Sequence, residues 1–427
     1  MSAHHARRGM LAAVTVLSTM LVPTSTRADT VTQWNEIATN ALVAQPQGAI
    51  AVTHLAMVHG AVYDAVNAID GRYEPYLGAP RARRWYSQDA AAATAAYRVL
   101  VDSQPPLVAP ERLTDFVALL QPQYDAFLAT IPPGAAKQGG IATGNAAADL
   151  MISARRDDGR FGAFRFSIGT VAGQWRPVLP LFVNDPGAWL KDVRPFLIKN
   201  ASQFGGPGPD ELTSRRYAKE FDEVKAIGAT GSTTRTTDQT EAAWFWGMPN
   251  AIATWSNLYR DVAVRQRGSL ADNARLFAML YLAGADTGIT VWADKARYSF
   301  WRPITAIREA ADDGNGRTVP DTNWLPLINT PPYPDQPSGL SSLAAASART
   351  LQTFFGTDDV AFSATNARGT RHYASFSQAV DEIVDARVWS GIHFRKADED
   401  GAEIGRRVAR WQQHRFPQTR GHGHGHG

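Results

Sequence analysis

Residues 270–300 read LADNARLFAMLYLAGADTGITVWADKARYSF, a run without proline that decides the fold class. Within it, Leu276, Leu280 and Ala283 recur at intervals of three and four residues, which is the spacing of one face of a helix. Similar spacing occurs on both sides of this run, between Ile50 and Ile69 and between Ala397 and Trp411. The sequence therefore predicts a protein built mainly of helices.

The segments between the predicted helices offer little sign of a sheet. Alternation of apolar and polar residues, which is typical of a strand, is found only in residues 163–175 (AFRFSIGTVAGQW). Residues 320–337, called the connector below, contain six prolines and are predicted to be extended. Since no segment marks a convincing domain boundary, we expect a single all-α domain at 29–420, with its helices packed as bundles.

The composition excludes several kinds of active site. The 427 residues include no cysteine, which rules out disulfides, cysteine-ligated zinc, thiolate catalysis and iron–sulfur clusters. The sequence contains neither an HExxH nor a GxSxG segment, so we expect neither a conventional zinc site nor a hydrolase-type serine nucleophile. No uninterrupted apolar run is long enough to predict a membrane span.

Residues 1–28 are typical of a secretory signal peptide, with a basic start, an apolar core at 10–22 and a small residue before the expected cut. Their three arginines account for the net charge of +3, so the rest of the chain is formally neutral and gives no indication of nucleic-acid binding. We therefore expect a periplasmic or secreted protein, exported by the general or the twin-arginine route. The C-terminal residues 421–427 (GHGHGHG) are predicted to be a disordered tail.

Two cations in the first of three notable segments could bind a polyanion. Lys295 and Arg302 are seven residues apart, which on a helix places them nearly on one face, and Pro303 would end or kink that helix. Arginine offers a planar pair of donors and lysine a movable point charge, a combination suited to an oxyanion. A solvated charged helix face is the alternative.

The second and third segments add neutral donors and a histidine. Ser338 and Gly339 precede a predicted alanine-rich helix at 343–354, where a hydroxyl and free backbone N–H groups could contact an anion. In the third segment Gly391 permits a turn, and His393 would open the last long helix near Arg387. The alternatives are an ordinary N-cap for Ser338 and a buried structural role for His393.

In this order the three segments resemble the signature of the superfamily of vanadium-dependent haloperoxidases and type 2 phosphatidic-acid phosphatases, K-x6-RP, PSGH and SR-x3-G-x-H. Here the blocks read Lys295-x6-Arg302-Pro303, Pro337-Ser338-Gly339-Leu340 and Ala386-Arg387-x3-Gly391-x-His393. Residues 54–69, 233–246, 330–339 and 391–401 also look like the bacterial haloperoxidase branch. The resemblance implies two four-helix bundles with an oxyanion held between their helices.

The resemblance also implies a cofactor, vanadate, with phosphate as the alternative anion. It assigns the neutralisation of the equatorial oxygens to Lys295, Arg302 and Arg387, and further donors to Ser338 and the N–H of Gly339. His393 would be the apical ligand of vanadium in a haloperoxidase, or the nucleophile toward phosphorus in a phosphatase. In the haloperoxidase, Lys295 would polarise hydrogen peroxide, which oxidises a halide lodged in a pocket of Trp292, Tyr333 and Leu340.

Leu340 departs from the signature, because it stands where the superfamily has a histidine. Leucine transfers no proton, and the loss of a positioned acid or base typically costs about 10²–10⁴-fold in rate. His59 or His372 could supply a replacement from another segment. Three functions therefore remain open: a weakened or altered haloperoxidase, an acid phosphatase, and an anion binder without catalysis. The sequence identifies neither the organic acceptor nor the oligomeric state.

Overall fold

The computed structural model describes residues 29–45, 50–247 and 251–419. The predicted signal peptide at 1–28 and the tail at 421–427 lie outside these ranges. The described residues contain thirteen α-helices and one two-stranded hairpin. The helices are α1 (Thr30–Val43), α2 (Ala51–Asp70), α3 (Gln88–Asp102), α4 (Leu113–Ala129), α5 (Ala135–Ala154), α6 (Arg215–Ile227), α7 (Thr237–Trp246), α8 (Ala251–Gln266), α9 (Leu270–Tyr298), α10 (Pro303–Arg308), α11 (Gly339–Phe355), α12 (Phe376–Trp389) and α13 (Arg395–Arg415). The all-α prediction is confirmed.

Helix α9 is the longest helix and lies at the centre of the molecule. Ser269 caps its start, and Asp272 completes a capping box by reaching back to the backbone N–H of Ser269. Its most apolar window has a mean hydropathy of 1.3 and is 89% buried within the protein. The helix has the length and composition of a membrane span, but its apolar surface is already covered by α2, α11 and α13.

Eight of the other described helices form two groups that both contact α9. In the N-terminal group α2, α3 and α5 pack together, with α1 and α4 beside them. In the C-terminal group α11 packs against α9, α12 and α13. The contact between α2 and α9 joins the groups, and one continuous apolar core extends through both.

Two glycines of α13 allow it to lie directly on the backbone of α11. A Cβ on Gly401 would come within 2.5 Å of the carbonyl oxygen of Ser338, and one on Gly405 within 2.1 Å of that of Ser342. Such distances are far inside van der Waals contact, so only glycine permits this approach. The start of α11 and the start of α13 are therefore held together by their main chains.

Two details of the fold differ from the sequence-based expectations. Residues 163–175, the one predicted candidate for strands, are irregular apart from an isolated bridge between Gln174 and Phe300. The observed hairpin pairs β1 (Phe362–Asn366) with β2 (Gly369–Tyr373) in antiparallel register. The connector contains no α-helix, as its prolines predicted.

Candidate oxyanion site

Lys295 and Arg302 lie close together, but not on one helix face. Helix α9 ends at Tyr298, and Ser299 adopts a left-handed conformation with φ of 42°. Arg302 is the extended N-cap residue of α10, and Pro303 occupies the first turn of that helix, where its missing N–H costs no hydrogen bond. The predicted two-turn spacing was therefore wrong. The two cations meet because the chain turns back between two helices.

Lys295 is completely buried in the last turn of α9. Its Nζ donates to the carbonyl oxygens of Pro334, at 2.6 Å, and Asp335, at 3.0 Å, which fixes the connector against the helix. Burial, and next the charge of Arg302, hold the pKa of Lys295 well below its ordinary value. In its protonated form the amine has three donors, so one proton of Lys295 would remain for an anion beside the two carbonyls, and such an anion would favour that form.

The two arginines of the site are buried and incompletely hydrogen-bonded. Arg302 donates from Nε to the carbonyl of Tyr333 at 2.8 Å and from Nη1 to that of Ile392 at 2.7 Å, and Arg387 donates from Nη1 to that of Trp246 at 3.0 Å. Arg302 Nη2 and Arg387 Nε are buried and have no partner among the described residues. A buried guanidinium donor without an acceptor lowers the stability of the folded protein, and an anion is one group that could accept hydrogen bonds from these two atoms.

His393 lies immediately before α13, where the main chain makes a tight turn. Gly391 has a φ of 77°, and a Cβ there would lie 2.4 Å from the carbonyl oxygen of Gly228. The ring is 1% exposed; its Nδ1 is 2.7 Å from Oδ1 of Asp335, and Arg302 Nη1 is 3.2 Å from its Nε2. Burial, followed by the charge of Arg302, lowers the pKa of His393 well below its ordinary value. The imidazole is therefore neutral, as a ligand or a nucleophile must be.

Ser338 and Gly339 begin helix α11 beside this histidine. Ser338 is the N-cap residue, but its hydroxyl makes no capping bond and instead donates to Ser341 Oγ at 3.3 Å. Gly339 is the first helical residue, whose N–H has no acceptor within the helix. Since a Cβ on Gly339 would lie 3.2 Å from the ring of Trp292, glycine brings this backbone close to the indole.

Two buried carboxylates belong to the site although the sequence analysis did not single them out. Asp335 contacts His393, and Asp398 accepts a hydrogen bond from Ser341 at 2.8 Å. In each, burial raises the pKa to about 7, and Oδ2 has no partner among the described residues. Asp335 is the one acidic residue of the segment TPPYPDQPSG and could have been noticed there, whereas nothing in GIHFRKADEDG separates Asp398 from its neighbours Glu399 and Asp400.

A cleft of about 530 Å³ opens beside the cations. The three residues predicted for the halide pocket, Trp292, Tyr333 and Leu340, all line it, together with Gly339 and Arg387. The rings of Trp292 and Tyr333 have centroids 5.2 Å apart, and Trp292 Nε1 donates to Asp185 Oδ2 at 3.0 Å. Five of the predicted site residues thus line one cleft, and the charges of Lys295, Arg302 and Arg387 act on the buried ring of His393; their roles in binding an anion stay predictions.

The other histidines considered as replacement bases lie elsewhere. His59 is buried in α2, stacked on Tyr281 with ring centroids 4.8 Å apart, and His372 lies on β2 beside Ser363. Neither lines the cleft. Within the described ranges no group of three or more His, Asp or Glu residues has the arrangement of a metal site. The site therefore combines three basic side chains and a buried histidine with the two buried carboxylates of Asp335 and Asp398.

The sequence comparisons point to one superfamily. A family model described as the VCPO second helical-bundle domain matches residues 275–420. Vanadium chloroperoxidase from Curvularia inaequalis is 30% identical over 152 residues, which represent 30% of this chain and 24% of that protein. In this match the chain spans less than a quarter of the length of the curated relative. The residues matched by the family model include all three signature segments.

The structural comparisons extend over almost the whole chain. A bacterial vanadium-dependent iodoperoxidase superposes with a TM-score of 0.78 at 22% identity, covering 91% of this chain and 96% of that one. An apo-type bacterial vanadium-dependent chloroperoxidase superposes with a TM-score of 0.67 at 16% identity, covering 87% and 94%. At these identities the likeness concerns the fold.

Proposed function

Because this chain belongs to the superfamily of vanadium-dependent haloperoxidases and type 2 phosphatidic-acid phosphatases, we propose that it is a haloperoxidase-like enzyme that uses vanadate, hydrogen peroxide and a halide. One observation carries the proposal. Arg302 Nη2 and Arg387 Nε are buried without acceptors, and the neutral ring of His393 lies against Arg302. An oxyanion would supply the missing acceptors, and the imidazole would supply one ligand.

Each residue of the site has a distinct part in holding vanadate. Lys295, Arg302 and Arg387 neutralise its charge, and Ser338 and the Gly339 N–H add neutral hydrogen bonds. His393 provides the nitrogen ligand. When bound, vanadate supplies a Lewis acid that activates hydrogen peroxide for attack by a halide.

Asp335 positions the histidine. Because its Oδ1 lies 2.7 Å from His393 Nδ1, it accepts a hydrogen bond from Nδ1–H, which leaves Nε2 unprotonated; Arg302 Nη1, now 3.2 Å from Nε2, would give up this contact when the nitrogen binds vanadium. The main-chain carbonyls of Pro334 and Asp335 hold Lys295, so the same stretch of connector orients both the ligand and the cation.

The apolar side of the cleft controls access to the site. Trp292, Tyr333 and Leu340 limit water beside the cations, which strengthens the attraction of a halide to them. Leucine holds no proton there, so Lys295 with its remaining donor is the group that assists peroxide. We therefore expect lower activity than a histidine at position 340 would give.

Reconstitution with orthovanadate tests the proposal. Vanadate binding to the purified protein is measured by equilibrium dialysis, and bromide-dependent halogenation of monochlorodimedone is then measured at full occupancy. We expect turnover that is abolished in His393→Ala. If the protein is fully occupied by vanadate and halogenates monochlorodimedone with no halide, the enzymatic function is refuted.

Leu340 favours a second candidate, an oxyanion binder without turnover, because it removes the acid that a leaving group needs. Tight binding of phosphate or vanadate without any reaction would select this function. An acid phosphatase with His393 as the nucleophile would instead hydrolyse p-nitrophenyl phosphate through a trappable phosphohistidine.

We also propose that the protein is exported to the periplasm or secreted, on the basis of residues 1–28 alone. Cell fractionation and N-terminal sequencing of the mature chain test this. Recovery of the intact chain in the cytoplasmic fraction would contradict it.

A further inference from the structure

The cleft beside the oxyanion site is several times larger than the reactants of a haloperoxidase require. Its volume is about 530 Å³, whereas a water molecule occupies about 30 Å³ of the liquid. A peroxide and a halide together therefore need on the order of 100 Å³. The remaining space matches a small organic ligand, whose pockets typically measure about 300–1,000 Å³.

The walls of the cleft suit an apolar ring. Aromatic side chains from three parts of the chain contribute to it: Trp244 and Trp246 from α7, Trp292 from α9 and Tyr333 from the connector. Aliphatic residues complete the lining, among them Leu190, Ile252 and Ile328. Leu340 extends this apolar wall to the edge of the oxyanion site, at the position where the signature histidine would have been polar.

Arg368 gives the cleft a second cationic point, outside the oxyanion site. It lies at the tip of the β1–β2 hairpin, and its Cζ is 4.8 Å from the centroid of the Trp244 ring. It forms no ion pair with any described carboxylate. By contrast Arg371, on the same hairpin, is paired with both Asp238 and Glu382.

The hairpin tip is attached firmly enough to place this arginine. Asn366 Nδ2 donates to the carbonyl of Phe245 in α7 at 3.1 Å, and Asn366 Oδ1 accepts the backbone N–H of Arg368 at 2.8 Å. The cation–π contact with Trp244 then holds the guanidinium over the rim of the cleft. Its guanidinium donors can pair with a carboxylate in the cleft, as the donors of an unpaired arginine do.

We propose that the cleft binds an apolar, ring-containing organic carboxylate as the acceptor, with its ring among the tryptophans and its carboxylate on Arg368. This inference rests on the proposed function and names the substrate class of the same site. The ring lies beside Leu340 and Trp292, so that the acceptor is halogenated where it is bound. The reaction is RH + X⁻ + H₂O₂ + H⁺ → RX + 2 H₂O. A C–H bond breaks, a C–X bond forms, and the O–O bond of peroxide takes up two electrons.

Isothermal titration calorimetry without vanadate, peroxide or halide tests the binding. The probes are 2-naphthoate and its neutral analogue 2-naphthalenemethanol. A charge-assisted hydrogen bond predicts that the carboxylate binds at least about tenfold more tightly than the alcohol. Arg368→Ala is expected to remove this preference and leave the affinity for the alcohol unchanged. Arg368→Lys is expected to retain part of the preference.

Arg83→Ala is the matched control, because Arg83 also lies over an indole, that of Trp85, but outside the cleft. It is expected to bind both probes like the unaltered protein. Equal affinities for the two probes, or equal effects of Arg368→Ala and Arg83→Ala, would overturn the proposal. So would displacement of naphthoate by inorganic phosphate, since the carboxylate would then occupy the oxyanion site itself. Because no step uses the cofactor, this test can fail or succeed independently of the halogenation assay.

Discussion

Leu340→His would restore a proton-transferring group at the edge of the oxyanion site. Leu340 is the second residue of α11, directly after Gly339, and its half-buried side chain lines the cleft with Trp292 and Arg387. A side chain there lies beside any group held by the first turn of the helix. Position 340 is thus within reach of an anion that the Gly339 N–H binds.

The expected increase in the rate of Leu340→His follows from the rate enhancement that general acid–base catalysis usually provides. A positioned acid or base contributes about 10²–10⁴-fold, which corresponds to about 3–5 kcal/mol in the activation free energy. The neighbouring cations Lys295, Arg302 and Arg387 would lower the pKa of the new imidazole, as they do for His393. A proton is therefore available mainly at low pH or with the oxyanion bound, so we expect a gain near the lower end, about 10²-fold.

The variant is measured in two assays, p-nitrophenyl phosphate hydrolysis and bromide-dependent halogenation of monochlorodimedone. Hydrolysis is expected to gain more, because its leaving group needs a proton. Leu340→Asn is the matched control, since asparagine is polar and of similar size but transfers no proton, and thermal denaturation checks that both variants fold. If the histidine and asparagine variants have equal rates in both assays, the reasoning is refuted and another group performs the proton transfer.

Three further changes test other parts of the structure. Asp335→Ala removes the acceptor that fixes the Nδ1 proton of His393, so the affinity for vanadate relative to that for phosphate, which forms no bond to the ring, should fall about 10–100-fold in equilibrium dialysis; an unchanged ratio would contradict the positioning role. Asp286 accepts backbone hydrogen bonds from Phe196, Leu197 and Ile198, and burial raises its pKa from 3.8 to about 6. The pKa of Asp286 is therefore higher in the folded protein than in the unfolded chain. Its contribution to the free energy of unfolding, about 3 kcal/mol, is complete below pH 3.8 and is lost as the pH rises through about 6. Asp286→Asn should remove that slope in urea denaturation between those two pH values, and an unaltered slope would assign it to other groups. Gly405→Ala should lower the free energy of unfolding by about 1–3 kcal/mol, although alanine has the better helix propensity. The control Gly288→Ala in α9 should not lower it, because a Cβ there would meet nothing closer than 3.4 Å. Similar effects of the two substitutions would contradict the close contact between α11 and α13.

The fold could be predicted from periodicity because most helices of the core carry their apolar residues at helical spacing. The run at 270–300 forms α9 with the predicted start, and the prolines of 320–337 prevent an α-helix in the connector. The hairpin at 362–373 was missed because its strands, FSATN and GTRHY, are only five residues long and contain three apolar residues between them. Its strands are stabilised by packing against α8 and α12, which no local pattern contains.

The candidate site residues could be named from their order, but the geometry that surrounds them could not be derived. Lys295 and Arg302 suggest a helix face by spacing, yet the chain leaves the helix between them. The reason is non-local: the Trp175 N–H donates to the Ser299 carbonyl at 2.7 Å, and the Trp301 N–H donates to the Gly173 carbonyl at 3.0 Å. A loop more than a hundred residues earlier thus draws residues 299–301 out of the helix. These contacts are made by the end of segment 163–175, which the sequence offered as a strand. The segment therefore pairs its backbone with residues 299–301 at one point without forming a sheet.

The glycine contact between α11 and α13 has a consequence for how this site can diverge. Gly401 and Gly405 set the separation of the two helices by main-chain contact, so no side chain near the anion has to act as a spacer. A residue such as Leu340 can then be exchanged without changing the distance between the start of α11 and His393. The spacing of the two helices and the chemistry at position 340 are therefore separate properties of this structure.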